Sequence, residues 1–286
     1  MWPANKAIKR FLFVLTAASA ALVSGCGEQI TVLNPQGPVA KSEANLIWLA
    51  IGVMSIVMIV VFGIFGYVLI KYRANRKDQS DYDPENHGNR KLEIIWTLIP
   101  ILMVTAIAIP TVRTTYQLKE PPAAVNKDPI TIDVTSANWK WIFKYPGQGI
   151  ETVNYVNIPA GTPVNFRLTS VGPMNSFWVP ALGGQEYSMP GMEMTIWLEA
   201  SHPGTYLGRS ANFSGKGFVH MSFNVVAMDA TSFDGWVKQV KAQYPPLTKA
   251  KYEELLKPGV VNPMTFSSTD SANPDQMSGM PGMGGA

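Results

Sequence analysis

Charged residues vanish from two long stretches of the chain and then return in short alternation. From Leu46 to Ile70 no charge interrupts 25 residues, and Glu43 and Lys71 close the two ends. At about 1.5 Å per residue this run exceeds the roughly 30 Å of bilayer hydrocarbon, so 46–70 reads as a first transmembrane helix. A second uncharged run, Ile94 to Val112, lies between Glu93 and Arg113 and is just long enough to span. Pro100 and Pro110 are tolerated there because neighbouring groups in a membrane helix satisfy the freed carbonyls, and they predict a kink.

After Pro121-Pro122 the pattern shifts to short alternating runs: 130–134, 139–143, 151–156, 163–168, 192–198 and 218–226, separated by turn clusters such as Pro146-Gly147 and Pro203-Gly204. Runs of this length and spacing predict an antiparallel sandwich or Greek-key barrel of about 100 residues, placed here at 125–229. Phe233, Trp236, Val237, Val240 and Tyr244 then recur at helical spacing, and Tyr252, Leu255 and Leu256 continue the apolar set, predicting an amphipathic helical pair that covers the sandwich, within an extension at 230–266. The fold class is therefore membrane α plus all-β.

The N-terminus carries Lys6, Lys9 and Arg10 before the short uncharged run 11–23, the layout of an export signal rather than a span. Leu22-Val23-Ser24-Gly25-Cys26 places small residues before the cysteine and resembles a bacterial lipobox. That resemblance implies cleavage of 1–25 and acylation of Cys26, followed by an exported segment, 26–45. Lys71, Arg73, Arg76, Lys77, Arg90 and Lys91 crowd the loop 71–93, so the positive-inside rule puts it in the cytoplasm and both flanking segments outside. The chain is thus expected in a bacterial inner membrane, multi-pass and lipid-anchored, with its C-terminal domain periplasmic.

Composition narrows the chemistry. The 286 residues are 47% hydrophobic and 15% charged with net charge +3, too weak a field for nucleic-acid binding and too apolar for a disordered chain. A single cysteine excludes an intramolecular disulfide and any cysteine-clustered metal site. No phosphate loop, dinucleotide fingerprint or Ser-His-Asp constellation is visible. The tail 267–286 repeats methionine among Gly, Pro and Ser and reads as a disordered terminus, although thioethers favour Cu(I).

Two helices followed by such a sandwich, with Glu93-Ile94-Ile95-Trp96-Thr97 opening the second helix and Trp139-Lys140-Trp141-Ile142-Phe143 opening the sandwich, resemble subunit II of haem–copper terminal oxidases, whose exported domain is cupredoxin-like. Asn175-Ser176-Phe177-Trp178-Val179-Pro180-Ala181-Leu182-Gly183 and the stretch Tyr206 to Met221 parallel the segments that carry copper ligands in cytochrome c oxidases. There the resemblance implies two histidines, two cysteines, a methionine and a glutamate carbonyl. Here those positions are Asn175 and Phe218, Ser210 and Ser214, Met221, and Asn212. Serine hydroxyls are hard, weakly acidic ligands and cannot replace bridging thiolates on copper, so no metal is expected. His220 lies beside Met221, but alternation on a strand would send it to solvent with Ser222 and Asn224, opposite Val219, Met221, Phe223 and Val225. His87 and His202 have no second ligand near them in sequence.

Scaffold without copper ligands is the pattern of subunit II in ubiquinol oxidases of the cytochrome bo type, and the segment 210–218 and the aromatic-rich extension resemble that branch. The resemblance implies a non-catalytic subunit of a proton-pumping oxidase that oxidises quinol and reduces dioxygen to water. It implies no cofactor in this chain, and haems and one copper in the partner subunit I. Further partners would be subunits III and IV, membrane lipid, and ubiquinol held by subunit I. Glu93 corresponds to the family glutamate at the mouth of the K proton channel, while Trp139 and Trp141 stand where the family has tryptophans beside its electron-entry region; without copper they are expected to be core and subunit-interface aromatics. Two rival readings are a membrane lipoprotein using a copper-free cupredoxin domain for binding, and a cytochrome c oxidase subunit II with unusual ligands.

Overall fold

Two long helices and two packed sheets make up the computed structural model, which describes residues 30–73, 88–121 and 129–269. The signal segment and Cys26, His87 with most of the basic loop, and the methionine-rich stretch at 277–286 lie outside the described residues.

Helix α1 spans Pro38–Lys71 and contains the whole apolar run 46–70. It begins at Pro38 rather than at Leu46 because its first turns are held by the exported domain and not by lipid. Gln36 N donates to Ala181 O (2.8 Å), Ala40 N to Leu182 O (3.1 Å), and the Glu43 carboxylate accepts from Gly184 N (3.0 Å). Val39, Ala40 and Ala44 are buried there, and a Cβ on Gly37 would fall 2.0 Å from Glu199 O, so no side chain fits at the helix N-cap. Helix α2, Arg90–Gln117, likewise outruns the predicted 94–112 at both ends and includes Pro100 and Pro110. Asn89 caps it by accepting from Lys91 N and Leu92 N, and Trp197 Nε1 donates to Leu118 O at 2.7 Å just past its end. Thr97, Thr105, Thr111 and Thr115 each donate to the carbonyl four residues back, so these four hydroxyls are satisfied within the lipid-length helix.

The exported domain is a sandwich. Its strands are β1 (Ile130–Ala137), β2 (Lys140–Tyr145), β3 (Ile150–Val153), β4 (Tyr155–Pro159), β5 (Val164–Val171), β6 (Asn175–Trp178), β7 (Gln185–Ser188), β8 (Met194–Leu198), β9 (Gly204–Ser210), β10 (Ser222–Met228) and β11 (Met264–Phe266). Among the described residues, one sheet has the order β11-β3-β2-β1-β5-β8 and the other β4-β10-β9-β6-β7. The sandwich is the one the pattern predicts and most of its pairings are antiparallel, while β1 pairs with β5 and β10 with β4 in parallel. Strand β5 shows why alternation worked where it did: Val164, Phe166, Leu168 and Ser170 point inward, while Asn165, Arg167 and Thr169 face outward and Arg167 pairs with Asp133 at 2.6 Å.

The run 151–156 is not one strand. It breaks at Asn154, whose φ of 59° lies in the left-handed region that asparagine tolerates, and the chain passes there from one sheet to the other. Asn154 anchors the switch by accepting from Trp141 N (2.9 Å) and donating to Val261 O (2.8 Å). Residues Phe218–His220 form a 3-10 turn rather than the start of β10. The predicted alternation therefore fails at Val219, which is 81% exposed, and holds from Met221 onward.

In the extension, α3 (Ala230–Gln243) and α4 (Lys249–Leu256) start at the caps Asp229 and Thr248. Phe233 and Val240 enter the main core with Trp236 and Val237 against it, whereas Tyr252 and Leu255 form a second small core with Ile142, Val153, Leu247 and Phe266 on the outer face of the larger sheet. The helical pair thus covers the sandwich as its spacing predicts, and β11 adds a strand to it.

Candidate functional site

The strand ends of β1, β6 and β9 converge at one end of the sandwich, with the loop from Ala211 to Met221 closing over them. Asn175, the first residue of β6, is fully buried and donates from Nδ2 to Ser136 Oγ (3.2 Å) and to Pro173 O (3.0 Å). Ser136 Oγ is 2.9 Å from Ser188 Oγ, which donates to Thr169 O. Ser210 Oγ shares its proton between Asn175 Oδ1 (3.4 Å) and Asn212 O (3.2 Å). Asn212 in turn donates to Met174 O at 3.0 Å. Asn175, Ser136, Ser188 and Ser210 thereby form a buried, uncharged network in which each side chain has a partner, as buried polar groups require.

The remaining positions singled out in the sequence gather beside this network. Ser214 Oγ lies 3.9 Å from Met221 Sδ, and Met221 is buried. Phe218 packs its ring against Phe213, with centroids 5.6 Å apart. Trp139 donates from Nε1 to Ser214 O at 3.0 Å and lies against Gly215 and Gly217, where added Cβ atoms would come within 3.2 and 2.3 Å of the ring. Trp141 is fully buried, edge-on to Phe177 and Phe223, and its Nε1 has no hydrogen-bond partner among the described residues. His220 is exposed on its turn and joins none of these contacts.

A copper pair does not fit this donor set. It offers an amide, two hydroxyls, a thioether and a phenyl ring, none of them a soft anion, and Asn175 and Ser210 are already hydrogen-bonded within the protein. Among the described residues, no three His, Cys, Asp or Glu side chains come together as a metal site.

Glu93 sits elsewhere, in the first turn of α2, where a carboxylate is favoured by the positive end of the helix; its Oε1 would be 2.8 Å from a Cβ on Gly88, so that glycine leaves room for it. Sequence reasoning missed Ser136 and Ser188, the two hydroxyls that complete the network, because nothing local shows that β1 and β7 end beside β6. It also missed Lys140, buried and donating from Nζ to Leu255 O (2.9 Å), Lys257 O (2.6 Å) and Asn138 O (3.3 Å). A lysine between two tryptophans on a buried strand was the available signal.

A family profile described as Cytochrome C oxidase subunit II, transmembrane domain, matches residues 34–114, and one described as Cytochrome C oxidase subunit II, periplasmic domain, matches residues 146–229. The chain is similar to Quinol oxidase subunit 2 of Bacillus cereus, 53% identical over 265 residues that span 92% of this chain and 91% of the relative. Quinol oxidase subunit 2 of Bacillus subtilis is 47% identical over 260 residues, 90% of this chain and 81% of the relative. A solved periplasmic domain of subunit II of cytochrome oxidase from Bradyrhizobium japonicum superimposes with a TM-score of 0.40 at 23% identity, over 42% of this chain and 98% of that one. The chain belongs to the subunit II family of haem–copper oxidases, among relatives named quinol oxidase subunit 2.

Proposed function

We propose that this chain is subunit II of a proton-pumping quinol oxidase of the aerobic respiratory chain and that it contributes structure rather than a redox centre. The observation that carries the reading is the buried, fully hydrogen-bonded network of Asn175, Ser136, Ser188 and Ser210, in which Asn175 and Ser210 hold positions that the resemblance matches to copper ligands. Electrons from membrane quinol reach the catalytic subunit without an outer copper relay, so a neutral hydrogen-bonded plug meets the need. The two helices pack on subunit I, which carries the haems and one copper, and the sandwich caps it on the outer face of the plasma membrane. Two further small membrane subunits complete the complex.

Within that reading Glu93 marks a proton entrance on the cytoplasmic side, supported by its place in the first turn of α2 and by the basic loop beside it. Trp139 and Trp141 serve packing rather than electron entry. Cys26 carries acyl chains after removal of 1–25; with two spans already present, the lipid adds only marginally to retention.

The test is turnover of the purified detergent-solubilised complex with a soluble quinol and with reduced cytochrome c, alongside metal analysis. Quinol oxidation with one copper and two haems per complex is the expected result. Cytochrome c oxidation with three coppers would defeat the reading.

A further inference from the structure

The loop from Ala211 to Met221 poses a physical problem once copper is excluded. Met221 anchors its far end in the core, but ahead of it Phe213 and Val219 are 75% and 81% exposed and Phe218 is only half-buried, so burial of its own side chains does little to hold its middle in shape. Its internal bonds are short-range: Phe218 N to Gly215 O, His220 N to Gly217 O and Met221 N to Phe218 O. What seats its middle on the sandwich is Trp139, through the bond to Ser214 O and a ring surface so close that Gly217 admits no Cβ.

Trp139 is itself held from both sides by the carboxy-terminal extension. Gly259 N donates to Asn138 O at 2.7 Å, immediately before it. Immediately after it, the buried Lys140 ammonium spends its protons on carbonyls, two of them at the C-terminal end of α4 (Leu255 and Lys257), where a helix favours a cation. Removing the partners of a buried charge is strongly destabilising, so this grip is firm.

We propose that the extension does the mechanical work that a metal pair would otherwise do: by clamping Asn138 and Lys140 it fixes Trp139, and Trp139 fixes the loop over the vacated ligand positions. The proposal rests on the copper-free reading, and metal content reports on that reading separately.

The test is hydrogen exchange on the full-length chain within the solubilised complex, with Gly259→Pro, which deletes the donor to Asn138 and, because proline cannot adopt the φ of 157° there, releases the extension at that point, and Lys140→Met, which deletes the clamp. Both variants are expected to speed exchange at Ala211, Phe218, His220 and Met221 by about tenfold while β5 keeps its protection. Trp139→Phe, which keeps a ring but loses the Nε1 donor, is expected to loosen the loop and leave α4 protected. If the extension is freed and the loop still exchanges at the wild-type rate, or if β5 loosens by the same factor as the loop, the brace is overturned. Should Lys140→Met fail to assemble, Gly259→Pro decides alone. More than one copper per wild-type complex would instead sink the copper-free reading beneath it.

Discussion

The Tyr145 hydroxyl and the main chain of Asn157 bind each other twice: the hydroxyl donates to Asn157 O at 3.1 Å and accepts from Asn157 N at 2.8 Å. Tyr145 belongs to the larger sheet and Asn157 to the smaller one, so this reciprocal pair stitches the two layers inside the core. Burial pushes the phenol far above its ordinary range, and it stays a neutral donor. Tyr145→Phe keeps the ring and orphans two buried main-chain groups. A loss of about 2 kcal/mol or more is expected, read as a lower unfolding temperature of the solubilised protein.

Glu151 supplies a pH dependence. It is buried on the sheet face that α4 covers, its carboxylate oxygens have no hydrogen-bond partner among the described residues, and burial raises it to about 8, with Lys144 opposing and Asp133 adding to the rise. The folded value lies above the ordinary 4.5, so between those pH values the folded chain keeps a proton that the unfolded chain has lost. The stabilisation from this site is therefore complete below about 4.5 and falls as pH rises through about 8, with a slope of at most about 1.4 kcal/mol per pH unit. Glu151→Gln removes the titration. Thermal unfolding between pH 5 and 9 is expected to show the variant gaining on the wild type as pH rises; parallel curves would refute this.

Asn175→Ala strips the central amide from the buried network and leaves Ser136 and Ser210 short of a partner. The expected cost is about 1–3 kcal/mol in stability with quinol turnover of the surviving complex unchanged. A fall in turnover at full assembly would mean that the network takes part in catalysis.

Gly208 faces Phe223, and an added Cβ would meet the ring at 2.2 Å, whereas Gly147 has open space around it. Phe223 stacks on Phe177 at 5.0 Å and touches Trp141 and Phe143, so it has nowhere to retreat. Gly208→Ala is expected to cost about 1–3 kcal/mol by overpacking, and Gly147→Ala close to nothing, in paired denaturation measurements.

For Glu93→Ala, slower proton uptake during turnover is expected without loss of haem, measured in reconstituted vesicles with a pH dye. Turnover identical to the wild type at every pH would remove Glu93 from the proton path.

Much of the architecture was readable in one dimension. The two spans follow from the absence of charge over 46–70 and 94–112, and the outer face of β5 from simple alternation. That Asn175, Ser210, Ser214 and Phe218 are poor copper ligands was equally plain, because amides, hydroxyls and a phenyl ring are the wrong chemistry wherever they sit. Strands of four residues or fewer, such as β6, β7 and β11, carry too little periodicity to announce themselves. The break at Asn154 was hidden because both halves of 150–159 look like strand and differ only in the sheet they join.

Residue type and local period thus settle which segments enter lipid and which form strands, since each depends on neighbours along the chain. Partnership across the fold is another matter. That Ser136 and Ser188 complete the plug at Asn175, that Lys140 ends α4, and that Trp139 lies under Gly217 depend on which strands become adjacent. A buried polar group is satisfied by whatever the fold brings within about 3 Å, and residues 39 to 117 positions apart meet there only after the sheets have closed.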